Sequence, residues 1–230
     1  MSRGPTRSPA GDPPRIVLAT RSAHKLRELR ELLALDPTEL ISLDEAGVPA
    51  GEEPVEDGTT FEANARIKAR AYARQTGLLT LADDSGIEVD ALGGGPGVWT
   101  RRYAGPDATD EDNNTKLLGA LAGLPPERRG ARYVCSLVLA DGRPDRRGTR
   151  DGVPILAEAR GTCRGRIAAA PRGSGGFGYD PIFEPLSEPP GGRTLGLWSA
   201  AEKHRISHRA RAARRMAARL AALGLGPAPG

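Results

Sequence analysis

Leu81-Ala82-Asp83-Asp84-Ser85-Gly86-Ile87-Glu88-Val89-Asp90 is the stretch on which the reading of this 230-residue chain turns. The apolar run Leu78 to Ala82 leads straight into two carboxylates, so it reads as a buried strand with acidic residues at its end. Ile87 and Val89 then alternate with Glu88 and Asp90, the period of two of a half-buried strand. Gly93 to Gly97 follows as a glycine-rich turn.

Upstream, Ile16 to Ala19 after Pro13-Pro14 predicts a buried first strand. Leu26, Leu29, Leu32 and Leu33 recur at helical spacing and predict an amphipathic helix ending before Asp36-Pro37. Residues 44 to 59 are acidic and hold Pro and Gly, the pattern of a loop, and Thr60 to Gln75 predicts a helix closed by Gly77. Downstream, Ala108 to Leu121 reads as a helix stopped by Gly123 and Pro125-Pro126. Tyr133, Cys135, Leu137 and Leu139 share one strand face, Asp141 to Asp145 is a hairpin turn, and Leu156 to Thr162 is a further strand. Ile206, Ala210, Ala213, Ala217 and Leu220 stripe a long terminal helix, with Met216 in its core packing. Strands in the second half succeed one another without helices, which predicts an antiparallel or mixed sheet between helical ends: α/β or α+β. There is no internal repeat.

Length suits one large domain or two packed lobes. The formal charge of +4 fits an acidic ligand such as a polyphosphate but does not demand nucleic acid. No run approaches 18 apolar residues, so no membrane span is expected. Cys135 and Cys163 lack metal-ligand spacing, and Cys135 reads as a buried thiol in a reducing compartment. Residues 1–14, rich in Arg, Ser, Pro and Gly, read as a disordered tail without a signal peptide's apolar region, and 225–230 as a second tail. The cytoplasm is the expected location.

Four segments carry candidate chemistry. Thr20-Arg21-Ser22-Ala23-His24-Lys25 sits at a strand-to-helix junction, where backbone N–H groups, two hydroxyls and the Lys25 ammonium would gather phosphate oxygens. Taken alone, it reads more simply as an ordinary cap with a solvated lysine. Asp83-Asp84-Ser85-Gly86 offers adjacent carboxylates whose repulsion a divalent cation relieves, one of them free to activate water. An acidic turn is its other reading. Gly173-Ser174-Gly175-Gly176-Phe177-Gly178-Tyr179-Asp180 contains G-x-G-x-x-G but is followed by Pro181, which excludes the dinucleotide βαβ unit. It is a glycine loop presenting Phe177 and Tyr179 to a base, or a hairpin tucking them into the core. Glu202 to Arg209 supplies Lys203, His208 and Arg209 as donors to purine carbonyls, or is a basic surface helix.

In their order these segments resemble the inosine/xanthosine triphosphate pyrophosphatase family over residues 15 to 222. The matching stretches are Ile16-Val-Leu-Ala-Thr20 with Lys25, Thr60-Phe61 through Asn64-Ala65, Leu81 to Gly94, Arg102 to Gly105, Gly175 to Phe183, and Glu202-Lys203 with Ile206 to Ala210. The resemblance implies an α/β fold with an elongated central mixed sheet flanked by helices, in two lobes with a cleft, spanning 15–224 as a single domain and assembling as a homodimer. It implies hydrolysis of ITP, dITP and XTP to the monophosphate and pyrophosphate with Mg²⁺, or Mn²⁺. Asp84 corresponds to the catalytic proton acceptor and metal ligand, with Asp83 as its acidic neighbour at the metal and Ser85 on substrate. Thr20, Ser22 and Lys25 would hold phosphate; Phe177, Gly178, Tyr179 and Asp180 the nucleoside; Lys203, His208 and Arg209 the base. The chain departs from the family in three places. Thr20-Arg21-Ser22 stands for Thr-Gly-Asn, and Leu195 to Trp198 for an Ala-Glu-Leu-type stretch. Ala63 stands where a metal-binding Glu is usual, and Glu62, rotated about 100° along the helix, would serve as metal ligand only with a local shift. Three rivals remain: a related pyrophosphatase for modified pyrimidine or methylated nucleotides, a nucleic-acid binder using the terminal arginines, and an inactive nucleotide sensor.

Overall fold

The computed structural model describes residues 14–33, 35, 40–144 and 152–225. The tail expected over 1–14, but for Pro14, that over 225–230, but for Leu225, the first helix's stop at Asp36-Pro37 and the end of the hairpin turn at Asp145 lie outside them. The chain builds one six-stranded sheet in the order β2-β1-β3-β4-β5-β6. Its strands are β1 (Ile16–Ala19), β2 (Leu40–Ser42), β3 (Leu79–Val89), β4 (Gly130–Asp141), β5 (Ile155–Ile167) and β6 (Phe183–Pro185). β1 runs parallel to both β2 and β3, and the pairs from β3 to β6 are antiparallel, so the sheet is mixed and the class α/β as expected.

Among the described residues five α-helices accompany the sheet: α1 (Ala23–Leu33), α2 (Phe61–Thr76), α3 (Asp110–Ala120), α4 (Ala200–Ile206) and α5 (His208–Ala222). On one face α1 and α5 bury Leu29, Leu33, Ala213, Met216 and Leu220 against Ile16, Leu18, Leu79, Leu81 and Leu137. On the other, α2 lays Ala65, Ala69, Tyr72 and Ala73 over Val17, Ala82 and Val138. A third cluster, at the far end of β3, joins Ile87, Val89, Leu117, Tyr133, Tyr179 and Phe183. α2 begins at Thr60, whose hydroxyl accepts from the Ala63 N–H, and ends at Gly77, whose φ of 70° suits glycine. Cys135 and Cys163 are both buried free thiols. Among the described residues no helix is long and apolar enough to cross a membrane.

β3 corrects one expectation. The sequence suggests two strands broken at Asp83-Asp84-Ser85-Gly86, but a single strand runs through all four residues, paired to Leu137, Ser136, Cys135 and Val134 of β4. The ladder hydrogen bonds outweigh the turn preference of Asp, Ser and Gly. Gly86 fits because Phe61 lies against it: a Cβ there would stand 2.8 Å from the phenyl ring. The acidic stretch therefore sits mid-strand, between the apolar clusters.

Candidate functional site

β3 runs beside β1 only as far as Ala82, the partner of Ala19, and beyond that point its β1 side meets no further strand among the described residues, only a single bridge from Glu88 to Pro96. Asp83 and Asp84 emerge there, at the carboxyl end of β1 where the chain turns into α1, the place where open α/β sheets bind ligands. Strand alternation sends their side chains to opposite faces. Asp83 faces α1 and α5. It is 2% exposed, pairs with Lys25, and lies 3.6 Å from Arg209 Nε and 3.2 Å from Cys135 Sγ. Burial pushes its carboxyl up, but Lys25 and Arg209 together hold it well below the ordinary carboxylate range.

Asp84 faces α2. Its Oδ1 accepts from Lys68 Nζ at 3.0 Å, and the same ammonium lies 3.0 Å from Glu56 Oε2. Burial raises the Asp84 carboxyl above its ordinary value, against the pull of Lys68. Lys68 itself is raised: its burial acts downward, and Asp84 and Glu56 outweigh it. No described residue hydrogen-bonds Asp84 Oδ2. Glu62 is turned elsewhere, 2.8 Å from Arg160 Nε. Arg160 pairs with Ser136, which pairs with Asp84, so it stands two strands away, roughly 10 Å by strand spacing. The expected trio of Asp83, Asp84 and Glu62 is thus not brought together. Among the described residues, no group of three or more His, Cys, Asp or Glu side chains is disposed to hold a metal ion.

On the α1 side, Ser22 serves as a cap, its Oγ 3.4 Å from the Lys25 N–H, and Thr20 Oγ1 accepts from Ser22 N–H at 3.2 Å. Arg21 is drawn away from the helix start by Asp44 at 2.7 Å and by the Val48 and Pro49 carbonyls, leaving the N–H groups uncrowded despite the missing glycine. Phe177 stands over this end. Its ring is 4.4 Å from His24, with Lys203 Nζ at 5.0 Å and the Arg209 guanidinium at 5.6 Å from its centroid. Lys203 Nζ bonds Asp180 Oδ2 at 2.5 Å, and that oxygen accepts the Phe177 N–H at 2.9 Å. Lys25, Phe177, Asp180, Lys203 and Arg209 are therefore brought together.

Two aromatic and basic residues have other places than expected. Tyr179 is no exposed stacking partner: it is 2% exposed and donates its hydroxyl to the Thr100 carbonyl at 2.8 Å. His208 is buried, stacked on Tyr133 at 4.8 Å and 9°, and its imidazole is held well below its ordinary pKa by burial and by Arg209. Arg209, 1% exposed, pairs with Glu28 and donates to Ser85 Oγ at 3.1 Å.

Sequence reasoning passed over Lys68, Glu56, Glu28 and His24. Lys68 looks like one more solvated helix lysine, but it shares a helix face with Ala65 and Ala69, whose neighbours are the sheet. The i, i+4 spacing of His24 and Glu28, 3.7 Å apart, was the available sign on α1.

Comparison with known proteins places the whole domain in a family. The Ham1 family model matches residues 16–219. A dITP/XTP pyrophosphatase of Symbiobacterium thermophilum is 47% identical, covering 91% of this chain and 96% of the relative. One from Methylococcus capsulatus is 45% identical over 91% and 97%. Among solved structures, a HAM1 protein from Coxiella burnetii has a TM-score of 0.77 at 39% identity, over 90% of this chain and 98% of its own. A nucleoside-triphosphatase / dITP/XTP pyrophosphatase from Mycobacterium abscessus has 0.70 at 40%, over 88% and 98%. Matched from Ile16 to Arg219, and akin to relatives it spans almost end to end, the chain belongs to the Ham1 family.

Proposed function

We propose that this chain hydrolyses the non-standard purine nucleoside triphosphates ITP, dITP and XTP to the monophosphate and pyrophosphate. The relatives' name, dITP/XTP pyrophosphatase, supplies the substrate class. The observation that carries the reading is Asp84: a carboxylate anchored through one oxygen by Lys68, with the other oxygen unbonded among the described residues, next along the strand to Asp83 and its partner Lys25.

The donor set suits a hard divalent ion entering with the substrate, since Mg²⁺ asks for only one or two protein carboxylates when phosphate oxygens and water complete its shell. Asp84 would hold it through Oδ2; Asp83 is committed to Lys25 and Arg209, and Glu62 to Arg160. Mg²⁺, or Mn²⁺, supplies neutralisation of the triphosphate charge when bound. Lys25 and the first N–H groups of α1, with Thr20 and Ser22, bind phosphate oxygens. Asp84 accepts the proton of the water that attacks the α-phosphorus, and the bond to the bridging oxygen breaks to release pyrophosphate. Lys68 favours the anionic form of Asp84 against the effect of burial, and Ser85, fixed by Arg209, faces the substrate from the next position. Phe177 packs on the base, with Gly178, Asp180 and Lys203 around it. A donor facing the purine 6-position donates to a carbonyl there and is left unpaired by the amino group of adenine, a difference of about 1–3 kcal/mol.

The enzyme works as a cytoplasmic homodimer with no nucleic-acid or membrane partner. In support, Arg211 and Arg215 of α5 bond back to sheet carbonyls of Thr162 and Arg160. Pyrophosphate release from ITP, XTP, ATP and GTP with Mg²⁺, beside Asp84→Asn, tests the reading. Release from ITP and XTP alone, lost in the variant and on chelation, is expected. Orthophosphate as product would overturn it.

A further inference from the structure

The loop that carries Phe177 is held from a side unrelated to the phosphate end. The Gly178 N–H donates to Asp110 Oδ2 at 2.6 Å, and the Gly178 carbonyl accepts from Asn114 Nδ2 at 3.1 Å. Asp110 and Asn114 are four residues apart on α3 and so lie on one face, one turn above the other. Both polar groups of one peptide-flanking residue are thus gripped by a single helix face. Gly178 takes a φ of 60°, and a Cβ there would meet nothing within 4 Å, so conformation rather than space reserves the position for glycine.

Beside the clamp the loop spans a hollow of about 570 Å³, bounded by Asn114, Thr115, Leu118, Pro171 and the loop's own backbone. Little packing supports it there. Asn114 is 7% exposed and its Oδ1 has no partner, so its one bond to the loop is made at the expense of a buried acceptor. The helix is itself well anchored: Thr109 and Asp112 form a capping box, and Asn113 bonds the Ala104 N–H and the Arg101 carbonyl.

We infer that Asp110 and Asn114 are positioning residues for nucleobase recognition, a clamp through which α3 sets where Phe177 meets the purine. The inference rests on the proposed pyrophosphatase function. The clamp acts on Gly178, adjacent in the chain to Phe177, and touches neither phosphate nor reacting atoms. Its loss therefore changes how well the base is held and leaves the chemical step alone. Asn114→Leu keeps the volume and removes the donor; Asp110→Ala removes the acceptor; Asp110→Asn keeps an acceptor oxygen and serves as the conservative variant.

The test measures KM and kcat for ITP and for ATP, the Kd of ITP by calorimetry, and thermal unfolding for all four proteins. Expected are a KM and Kd for ITP raised roughly three- to tenfold in Asn114→Leu and Asp110→Ala, the worth of one hydrogen bond. kcat should stay within about twofold, the preference for ITP over ATP should shrink, and Asp110→Asn should stand near the parent. Unchanged KM and Kd, or a kcat that falls with Tm at constant KM, would overturn the clamp. A parent protein that binds ITP without hydrolysing it would instead overturn the proposed function, while Kd still reads the clamp. A parent that does neither overturns both.

Discussion

Arg209→Met isolates the buried charge that joins three elements. In the native protein Arg209 is 1% exposed and meets Glu28 of α1, Asp83 and Ser85 of β3, from the first turn of α5. Methionine fills much of the volume and removes the cation. Glu28 then keeps only two histidines, 3.7 and 3.9 Å away, and Asp83 keeps Lys25. Removing one partner from a buried ion pair costs about 3–5 kcal/mol, because the anion left behind stays desolvated. For a chain of this size each kcal/mol shifts Tm by about 2–4 °C, so Tm should fall by roughly 6–20 °C at pH 7. The pH dependence gives the sharper check. Asp83 is depressed in the native state, so its contribution is present above the ordinary carboxylate pKa and lost as pH falls through the lower native one. Without Arg209 its native pKa rises, the variant takes up the proton at a higher pH than the parent, and the Tm gap narrows on acidification from pH 7 to below the ordinary carboxylate pKa. Calorimetric melts of both proteins across that range supply the data. A Tm loss below about 3 °C at pH 7, or a gap that widens on acidification, would refute the argument.

Lys68→Met removes the cation that draws the raised Asp84 carboxyl downward, so the acid limb of kcat/KM should move to higher pH, and Lys68→Arg should restore much of it. The pH profile of pyrophosphate release checks this; an unmoved limb would separate Asp84 from the base role. Gly86→Ala should lower stability by about 1–3 kcal/mol in a denaturant melt, because the new methyl group meets Phe61 and Thr100.

Elements whose signal is local were legible in the sequence. Of the stripe Ile206, Ala210, Ala213, Ala217 and Leu220, the structure buries Ala210, Ala213 and Leu220 on α5 beside Met216, leaves Ala217 half-buried, and puts Ile206 at the end of α4, because Ser207 breaks the expected single helix in two; the Thr60 and Gly77 boundaries of α2 follow from side-chain capping and a positive φ. What escaped depends on partners far along the chain. β3 continues through Asp83 to Gly86 because β4, some fifty residues later, supplies the ladder. Lys68 gains its importance only when α2 is laid over Asp84, and Tyr179 sinks into the core because Thr100 offers a carbonyl. The opposite headings of Asp83 and Asp84 follow from the period of two alone, once a strand rather than a turn is assigned to them.

The bond between Arg209 and Glu28 closes a separation of 181 residues. A ribosome adding about 5–20 residues per second needs roughly 10 to 40 seconds to make the chain between them. During that interval α1 and, once made, β3 lack the Arg209 guanidinium, and Glu28 cannot be withdrawn from water cheaply. The apolar faces of Leu29 and Leu33 wait for α5 as well. Maturation of this end of the sheet is therefore a late event of synthesis, coupled to the arrival of the last long helix, and a chain stalled before Arg209 is left with an open hydrophobic seam beside a Glu28 that lacks its guanidinium partner.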